Sequence, residues 1–433
     1  MTSIGYFGEG TLNVMDAQIV TGQTSIGRFF GSSGVVEIKG DEGKSVWTYS
    51  GEFRVGDRGA GILTITSGSL QSQVDDDLYV GCGEDSTGLL IVDGIDSFLG
   101  TFGRVDVGTI GGGGRMFVMG GATVEVGSFF EIGAFDQNMG SGEATVQGEV
   151  ENATGFQHSR VQTETLAVGR RAAGSLTVKD GGRVNGTIAV FGDETEGVAE
   201  VRIGPNGIIS MTEDIVIGQE EPPAGQFAAG QAIVTLEWKS FLNFAFLIGD
   251  QIFLGPGGSQ IQGTGIVRAH SGFFNNGGIV STGITILDFS KQATIPRPLT
   301  FESDFTMTGG TLEIGVFGLG ANQAGVIEVT GEADIQSATI HFVFQNGFLP
   351  KTNDQIPFLM TEGGLTVGTL NFTYEGAAPG FLFGVTEENG MLMFEAMNDA
   401  QPLPNNPMEN SDLNGDDKID VHDLLLFLEH FNQ

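Results

Sequence analysis

The sequence has few basic residues, little tryptophan or tyrosine, and almost no cysteine. It carries 19 Lys and Arg against 54 Asp and Glu, which gives a formal net charge of −35 at pH 7. A chain this acidic is repelled by phosphate backbones, which excludes nucleic acid as a partner and favours cations. The single cysteine, Cys82, excludes an intrachain disulfide framework and a metal site built from several thiolates.

Long hydrophobic runs are also missing. The longest, residues 241–248, has eight residues and is interrupted by Asn243, whereas a membrane-spanning helix needs about 20. We therefore expect no membrane span. The N-terminus has neither a basic nor an apolar segment, so no signal peptide is visible. Because the first repeat described below begins within a few residues of Met1, we expect a truncated sequence or a start codon assigned too late.

Glycine is abundant, with 71 residues, and it recurs in a fixed context. There is no Gly-X-Y period and proline numbers only 12, which excludes collagen. Hydrophobic residues make up 40% of the chain and include 33 Phe, a content that is incompatible with wholesale disorder.

One pattern returns along the first half of the chain: apolar-x-apolar-Gly, a short turn containing glycine, and then apolar-x-apolar. Within each copy, apolar and polar residues alternate over three to five positions, which is the period of a β-strand. Successive copies lie 22 to 36 residues apart, about 27 on average. We call the glycine that ends the first strand of each copy the marker glycine; these are Gly5, Gly27, Gly56, Gly81, Gly108, Gly133, Gly169, Gly192 and Gly218.

Short, similar strands at a long fixed period favour coils stacked on one another. Each strand then pairs with its copy in the next coil, the alternating apolar side chains fill a continuous interior, and glycine takes the corners that need φ > 0. The sequence therefore predicts an all-β protein, a parallel β-helix or β-solenoid of about nine coils over residues 1–220. The clearest copy, VGRRAAGSLTVKDGG at residues 168–182, resembles the autotransporter passenger-associated β-strand repeats of bacterial surface and secreted proteins. The resemblance implies an extracellular or cell-surface location.

The repeats become weaker after residue 220. We expect a continuation of the solenoid over residues 221–285 and a β-rich, sandwich-like capping region over 286–397, since a solenoid end leaves strand edges and core to be covered. The order of segments here, including GFLPKTNDQIPFL at 347–359, is similar to the end of many passenger-like proteins. A polar linker rich in proline and asparagine follows over 398–411.

The last 22 residues, 412–433, contain the one sequence motif that points to a metal. Oxygen-bearing side chains stand at positions 1, 3, 5, 9 and 12 of a loop, and the residue at position 7 offers its backbone carbonyl, which is the spacing of a calcium loop. An apolar face at helical spacing follows, so a short helix is expected after the loop. The predicted Ca²⁺ ligands are Asp412, Asn414, Asp416, Lys418, Asp420 and Asp423.

This loop and helix are similar to a dockerin-type calcium module. The resemblance implies attachment to a cohesin-like or cell-envelope protein through residues 412–433. Two departures from the type are visible: dockerins carry two such loops and this chain has one, and Asp417 stands at position 6, where glycine is usual.

No other motif predicts a catalytic centre. The five histidines show no paired spacing, Gly111–Gly114 lacks the Lys-Ser/Thr of a phosphate loop, Asp75–Asp77 is expected to be an exposed turn, and Arg170–Arg171 a solvated corner pair. The enzymatic alternative is a β-helix polysaccharide lyase or glycoside hydrolase with acids on its flank. The acids that could serve it are Glu125, Glu131, Asp193, Glu194, Glu200, Glu213 and Asp214. Because only two Trp and four Tyr offer sugar platforms, we expect a non-catalytic adhesive, scaffolding or spacer protein, with a polysaccharide as a further candidate partner.

Overall fold

The computed structural model contains strands and loops, and the residues it describes form no helix. These residues are 1–40, 45–133, 140–152, 155–170, 172–192, 197–218, 231–237, 244–256, 258–283, 298–320 and 323–403. The predicted calcium loop and helix therefore lie outside the described residues. The prediction of an all-β solenoid is confirmed.

Short strands separated by tight corners make up the first half of the described chain. They are β1 (Thr2–Ile4), β2 (Glu9–Met15), β3 (Gln18–Thr21), β4 (Thr24–Ile26), β5 (Ser33–Lys39), β6 (Ser45–Tyr49), β7 (Phe53–Val55), β8 (Ala60–Thr66), β9 (Gly68–Ser72), β10 (Leu78–Val80), β11 (Thr87–Asp93), β12 (Phe98–Thr101), β13 (Val105–Val107), β14 (Gly113–Met119), β15 (Thr123–Val126), β16 (Phe129–Ile132), β17 (Ser141–Gln147), β18 (Glu149–Asn152), β19 (Gly155–His158), β20 (Arg160–Gln162), β21 (Thr165–Val168), β22 (Ala173–Lys179), β23 (Arg183–Gly186), β24 (Ile188–Phe191), β25 (Val198–Ile203), β26 (Ile208–Met211) and β27 (Ile215–Ile217).

Several strands of the second half are longer and bend round the corners. They are β28 (Gln231–Leu236), β29 (Phe246–Leu254), β30 (Gln260–Gly263), β31 (Gly265–Thr282), β32 (Leu299–Glu302), β33 (Phe305–Val316), β34 (Ile327–Val329), β35 (Ala333–Phe344), β36 (Gln355–Thr361), β37 (Leu365–Glu375), β38 (Phe383–Glu388) and β39 (Met391–Ala396).

Three parallel sheets run along the rod, and each coil contributes one strand to each. Sheet A begins with β2, β5, β8, β11 and β14, sheet B with β3, β6, β9, β12 and β15, and sheet C with β1, β4, β7, β10 and β13. Among the described residues, sheet C reaches fourteen strand segments, the last at the start of β37. At a strand spacing of about 4.8 Å, such a stack is about 60 Å long.

The marker glycines turn the chain from sheet C into sheet A, as the sequence predicts. All nine have positive φ, between 64° and 74°. At Gly108, for example, an added Cβ would lie 2.0 Å from the carbonyl oxygen of Ser141 in the next coil. Backbone conformation and close stacking therefore both require glycine at this corner.

The interior is filled by columns of aliphatic side chains that stack in register from coil to coil. One column in sheet A passes through Val36, Leu63, Leu90, Met116, Ala144, Leu176, Val201, Val234, Ile261, Val280, Leu312 and Ile340. Each of these side chains is buried. The alternation of apolar and polar residues in the sequence therefore corresponds to side chains that point alternately into the core and out of it along each parallel strand.

The longest spacing between marker glycines has a local cause. Between Gly133 and Gly169, separated by 36 residues, the chain inserts the antiparallel hairpin of β18 and β19. The coil resumes at β20, which pairs with β15. The hairpin is therefore an insertion in a loop and leaves the stacking unchanged.

Parallel pairing continues through much of the region 286–397. β32, β34 and β36 extend sheet B, and β33, β35 and β37 extend the other two sheets. Among the described residues of this region, pairing becomes antiparallel where β39 joins β36 and β38, and at an isolated bridge between Val316 and Ala324. Phe394 of β39 has its ring centroid 5.0 Å from that of Phe383 in β38 and 5.0 Å from that of Phe342 in β35.

Candidate functional site

The most unusual chemistry of the rod lies on the outer face of sheet C. Successive strands place Arg54, Tyr79, Asp106 and Glu131 at the same register position, so that each side chain stands above the one before it. We call these four residues the charged column. Each lies between two inward-facing apolar residues, as in Val105-Asp106-Val107, and therefore points away from the core.

Two acids of the charged column are sealed from solvent although they point outward. Asp106 is 2% exposed and Glu131 is 1% exposed. Residues of the corner loops are buried beside them, among them Asp57, Cys82 and Thr109. The loops between coils therefore cover the middle of this face.

Arg54 forms the first charged rung. It contacts Glu52 at 2.7 Å and Asp57 at 2.9 Å through its two Nη atoms, and Ser25 Oγ donates to Asp57 Oδ2 at 3.2 Å. Burial disfavours the charged guanidinium, but the hydrogen bond and charge of Asp57 outweigh it and raise the pKa of Arg54 above its ordinary value. Arg54 and Asp57 thus form a partly buried ion pair on the flank.

The second rung links the column to the acidic turn before it. The Tyr79 hydroxyl donates to Asp77 Oδ2 at 3.0 Å, and Asp77 Oδ1 accepts a bond from the Arg104 backbone N–H at 3.0 Å. Burial and the neighbouring Asp77 carboxylate raise the pKa of Tyr79. Asp77, expected in an exposed turn, is half-buried and takes part in this network.

Asp106 and Glu131 share two arginines. Arg104 Nη1 lies 3.8 Å from Asp106 Oδ2, and Arg170 Nη1 lies 3.7 Å from Glu131 Oε1. The expectation that Arg170 is a merely solvated corner residue is therefore wrong, and Arg171 lies outside the described residues. Burial raises the pKa of Asp106 to about 8, Glu131 adds to the shift, and Arg104 opposes it. Burial therefore favours the protonated form of Asp106.

Cys82 stands beside this network and has no nucleophilic character. Its Sγ lies 4.0 Å from Asp57 Oδ1 and the residue is buried. Burial and the Asp57 charge raise the pKa of the thiol to about 12. Because a thiolate is the reactive form, Cys82 is inert at neutral pH.

A cluster of four aromatic rings, three of them exposed, occupies the first two corners between sheets C and A. Phe7 and Phe29 stack with their ring centroids 4.7 Å apart, and Tyr6 meets both edge-on. Arg28 lies over the rings of Tyr6 and Phe29. Phe30, in the same corner, is 83% exposed. We call Tyr6, Phe7, Phe29 and Phe30 the aromatic corner.

Two cavities mark the outer surface. One, of about 820 Å³, is a groove across six strands of sheet A from β8 to β25, lined by small and apolar side chains with Arg115, Glu143 and Glu200. The other, of about 360 Å³, lies where sheet B turns into sheet C and is lined by polar groups including Arg268, Glu302 and Asp304. Arg268 Nε donates to Glu302 Oε2 at 2.6 Å there, so these two charges pair with each other, and Asp304 Oδ1 accepts a hydrogen bond from the Glu332 backbone N–H.

The described part of the chain brings few of the sequence candidates together. All six predicted calcium ligands, as well as Asp193 and Glu194, fall outside it. Of the other candidate acids, Glu131 lies in the charged column and Glu200 lines the groove. Within the described residues no group of three or more His, Cys, Asp or Glu side chains is placed to hold a metal ion.

Asp106, Tyr79 and Arg104 were not singled out from the sequence. In the sequence, Asp106 and Tyr79 are each the middle residue of an apolar-polar-apolar triplet, and a marker glycine directly follows that triplet. That pattern also occurs at exposed positions, and it does not reveal that loops of the neighbouring coils cover the side chain.

No helix among the described residues has the length and apolar character needed to cross a membrane. Neither the protein-family models nor the curated proteins gave a match to this sequence.

Proposed function

We propose that the protein is a non-catalytic β-solenoid rod outside the cell or on its surface, with an adhesive, scaffolding or spacer role. The observation that supports this most is the continuous parallel ladder from β1 to β37, whose interior is packed throughout the described coils. Such a stack gives a stiff body of about 60 Å with long lateral faces. That shape suits spacing and lateral binding.

The sealed acids support a structural role for the charged column. A catalytic carboxyl group must come within hydrogen-bond reach of its substrate. Asp106 and Glu131 are almost completely buried, and their arginine partners come from the same flank. The charged column therefore stabilises the packing of the loops and does not contact a ligand.

Attachment is assigned to the C-terminal calcium segment, on sequence grounds. Asp412, Asn414, Asp416, Asp420 and Asp423 supply the side-chain oxygens and Lys418 a carbonyl, and bound Ca²⁺ orders the segment for a cohesin-like or cell-envelope partner. The resemblance to dockerin-type modules supports this role.

Calorimetric titration of the full chain with Ca²⁺ tests the attachment segment. We expect one site, lost in Asp412→Ala and Asp416→Ala because each removes a charged ligand. Asp417→Gly should bind at least as tightly, since position 6 needs positive φ. Glu409→Gln, which removes one charge from the linker, is the matched control. No binding at millimolar Ca²⁺, or equal loss in the control, contradicts the assignment.

One observation favours the alternative, a β-helix polysaccharide lyase or glycoside hydrolase. Asp106 and Glu131 are Cα partners on adjacent rungs, two neighbouring acids of the kind that glycosidases pair, and burial raises the pKa of Asp106 to about 8. Incubating the full chain with polysaccharides and measuring new reducing ends and unsaturated products distinguishes the two proposals. We expect no products; products that disappear in Asp106→Asn would establish the enzyme.

A further inference from the structure

We propose that the aromatic corner and the groove on sheet A form one extended binding site for a neutral polysaccharide chain. The inference names a ligand for the adhesive role proposed above and rests on that role. It combines the exposed rings at the first two corners with the cavity across the next six coils.

Contacts among Tyr6, Phe7 and Phe29, together with hydrogen bonds to the backbone, pre-organise most of the aromatic corner. Phe7 is 77% exposed and Phe30 is 83% exposed, although large apolar side chains of this kind are usually buried. Ser32 holds the corner, since its Oγ donates to the Phe29 carbonyl at 2.6 Å and accepts from the Phe29 N–H at 3.0 Å. Rings held in place before binding lose little conformational entropy when a ligand arrives.

The aromatic corner and the groove lie along the same edge of the rod. The corner loops stack on each other, because Arg28 N–H donates to the Gly5 carbonyl and Asp57 N–H to the Gly27 carbonyl. The strands that follow these loops begin with one register column, in which Ala60, at the start of the groove, continues the line of Glu9 and Ser33. Thr87, Gly113, Ser141 and Ala173 extend that line along the groove.

The dimensions suit a long, thin ligand. Six strands at about 4.8 Å span about 24 Å before the aromatic corner is added. Small side chains of the register column line the groove, and Ile62, Leu89 and Phe117 add apolar surface. Arg115 and Glu143, 3.2 Å apart, supply polar groups at its side. An extended chain of several sugar units, with apolar ring faces and hydroxyl edges, matches this combination.

The charge of the protein favours a neutral chain over acidic polysaccharides and basic peptides. The net charge of −35 repels acidic polysaccharides. The charged residues that line the groove are paired, Arg115 with Glu143 at 3.2 Å and Glu200 with Arg202 at 3.9 Å, so the groove offers no unpaired charge to attract a basic peptide. A neutral chain needs no such attraction and uses the rings for stacking.

Titrating the full chain with neutral hexasaccharides tests the proposal, with β-1,4-linked glucose, mannose and xylose as the three probes and an alginate hexasaccharide as the acidic comparison. We expect a neutral probe to bind with an affinity that salt does not change. Phe7→Ala and Phe30→Ala should each weaken binding about tenfold, as expected for loss of an aromatic contact. Phe102→Ala removes a comparably exposed ring from another corner and should leave binding unchanged. All three side chains are exposed, so the variants should keep the melting temperature of the parent.

Several results would overturn the site. These are no binding of any neutral probe, equal loss in Phe102→Ala, salt-sensitive binding of alginate alone, or a dimer that dissociates in Phe7→Ala, which would assign the rings to a second copy of the chain. Each of these leaves the scaffold role standing. Release of sugar products by the parent protein would instead contradict the non-catalytic role, whether or not the two phenylalanines matter.

Discussion

Single residues determine the backbone conformation at the corners of this rod and the protonation state of an acid on its flank. Asp106 illustrates the second effect, because an acid between two core residues has been covered by the loops of adjacent coils. Its ordinary pKa of 3.8 rises to about 8 in the fold. The groups facing it are Glu131, Asp77 and Tyr79 from neighbouring elements, with Arg104 and Arg170 opposing.

The raised pKa predicts how stability depends on pH. The folded protein binds more protons than the unfolded chain between about pH 4 and pH 8, so this carboxyl group stabilises the fold at low pH and loses that contribution as pH rises through 8. Asp106→Asn removes the titration. We expect it to match the parent near pH 4 and to be more stable by a few kcal/mol near pH 9, measured by urea unfolding across this range.

A matched control separates this effect from general charge reduction. Asp334, half-buried in the same outward column of sheet C, accepts a hydrogen bond from Gln336. Because the Asp334 side chain is only half-buried, Asp334→Asn should lack the gain in stability near pH 9 that Asp106→Asn shows. If Asp106→Asn shows the same pH slope as the parent, the assignment of the buried proton to Asp106 is wrong.

The marker glycines give a second prediction for single residues. Gly108→Ala puts a Cβ at positive φ and within 2.0 Å of the Ser141 carbonyl oxygen. We expect a loss of at least about 2 kcal/mol in unfolding free energy, from strain and displaced stacking. Gly8→Ala is the control, since nothing lies within 4 Å of the added Cβ. Equal stability of the two variants in thermal and urea unfolding would show that corner geometry does not limit the fold.

These residues also show what the sequence can predict. The marker glycines were recognisable because their conformational requirement is local and recurs in every copy. The burial of Asp106 and Glu131 was not, since it depends on loops from other coils that covered their outward positions. Exposure of Phe7 and Phe30 escaped prediction for the same reason, because apolar residues in a solenoid are expected inside.

At the level of elements, the cap at the C-terminal end is the part that differs most from the repeats. β38 and β39 pair antiparallel and lie over phenylalanines that close the core. The strands before them escape recognition as repeats because they run through the corners: β31 alone spans Gly265–Thr282 and contributes to all three sheets. Glycines still stand at several of these corners, as at Gly277 and Gly310, but the strands continue through them, so the short strand-Gly-strand pattern of the first half is no longer visible although the coils continue.

Phe394 is the central buried side chain of this C-terminal cap, and its truncation gives the third prediction. Phe394→Ala should cost about 3–5 kcal/mol, the usual result of truncating a buried phenylalanine. Because coils contact only their neighbours, the loss should stay local. Hydrogen exchange should accelerate in β36, β38 and β39 and remain unchanged in β8 and β11. The exposed Phe102→Ala serves as control; uniform acceleration along the rod would contradict a solenoid with a separable end.

At the scale of the whole molecule, each functional proposal about the rod depends on the parallel stacking of the coils. Parallel register aligns the charged column, continues the aromatic corner into the groove, and gives the rod its length. A chain of antiparallel meanders with the same sequence would scatter all three. The stacking in sheet A is therefore the claim to test first.

Disulfide formation between neighbouring rungs measures that register directly, in a Cys82→Ser background. Thr64 and Ile91 are Cα partners on the outer face of sheet A, about 4.8 Å apart, within the range a disulfide needs. Thr145 lies three rungs from Thr64, about 14 Å away and out of reach. The account predicts that Thr64→Cys with Ile91→Cys oxidises to an intramolecular disulfide, while Thr64→Cys with Thr145→Cys stays reduced. A reduced first pair, or equal oxidation of both, would contradict the parallel rod.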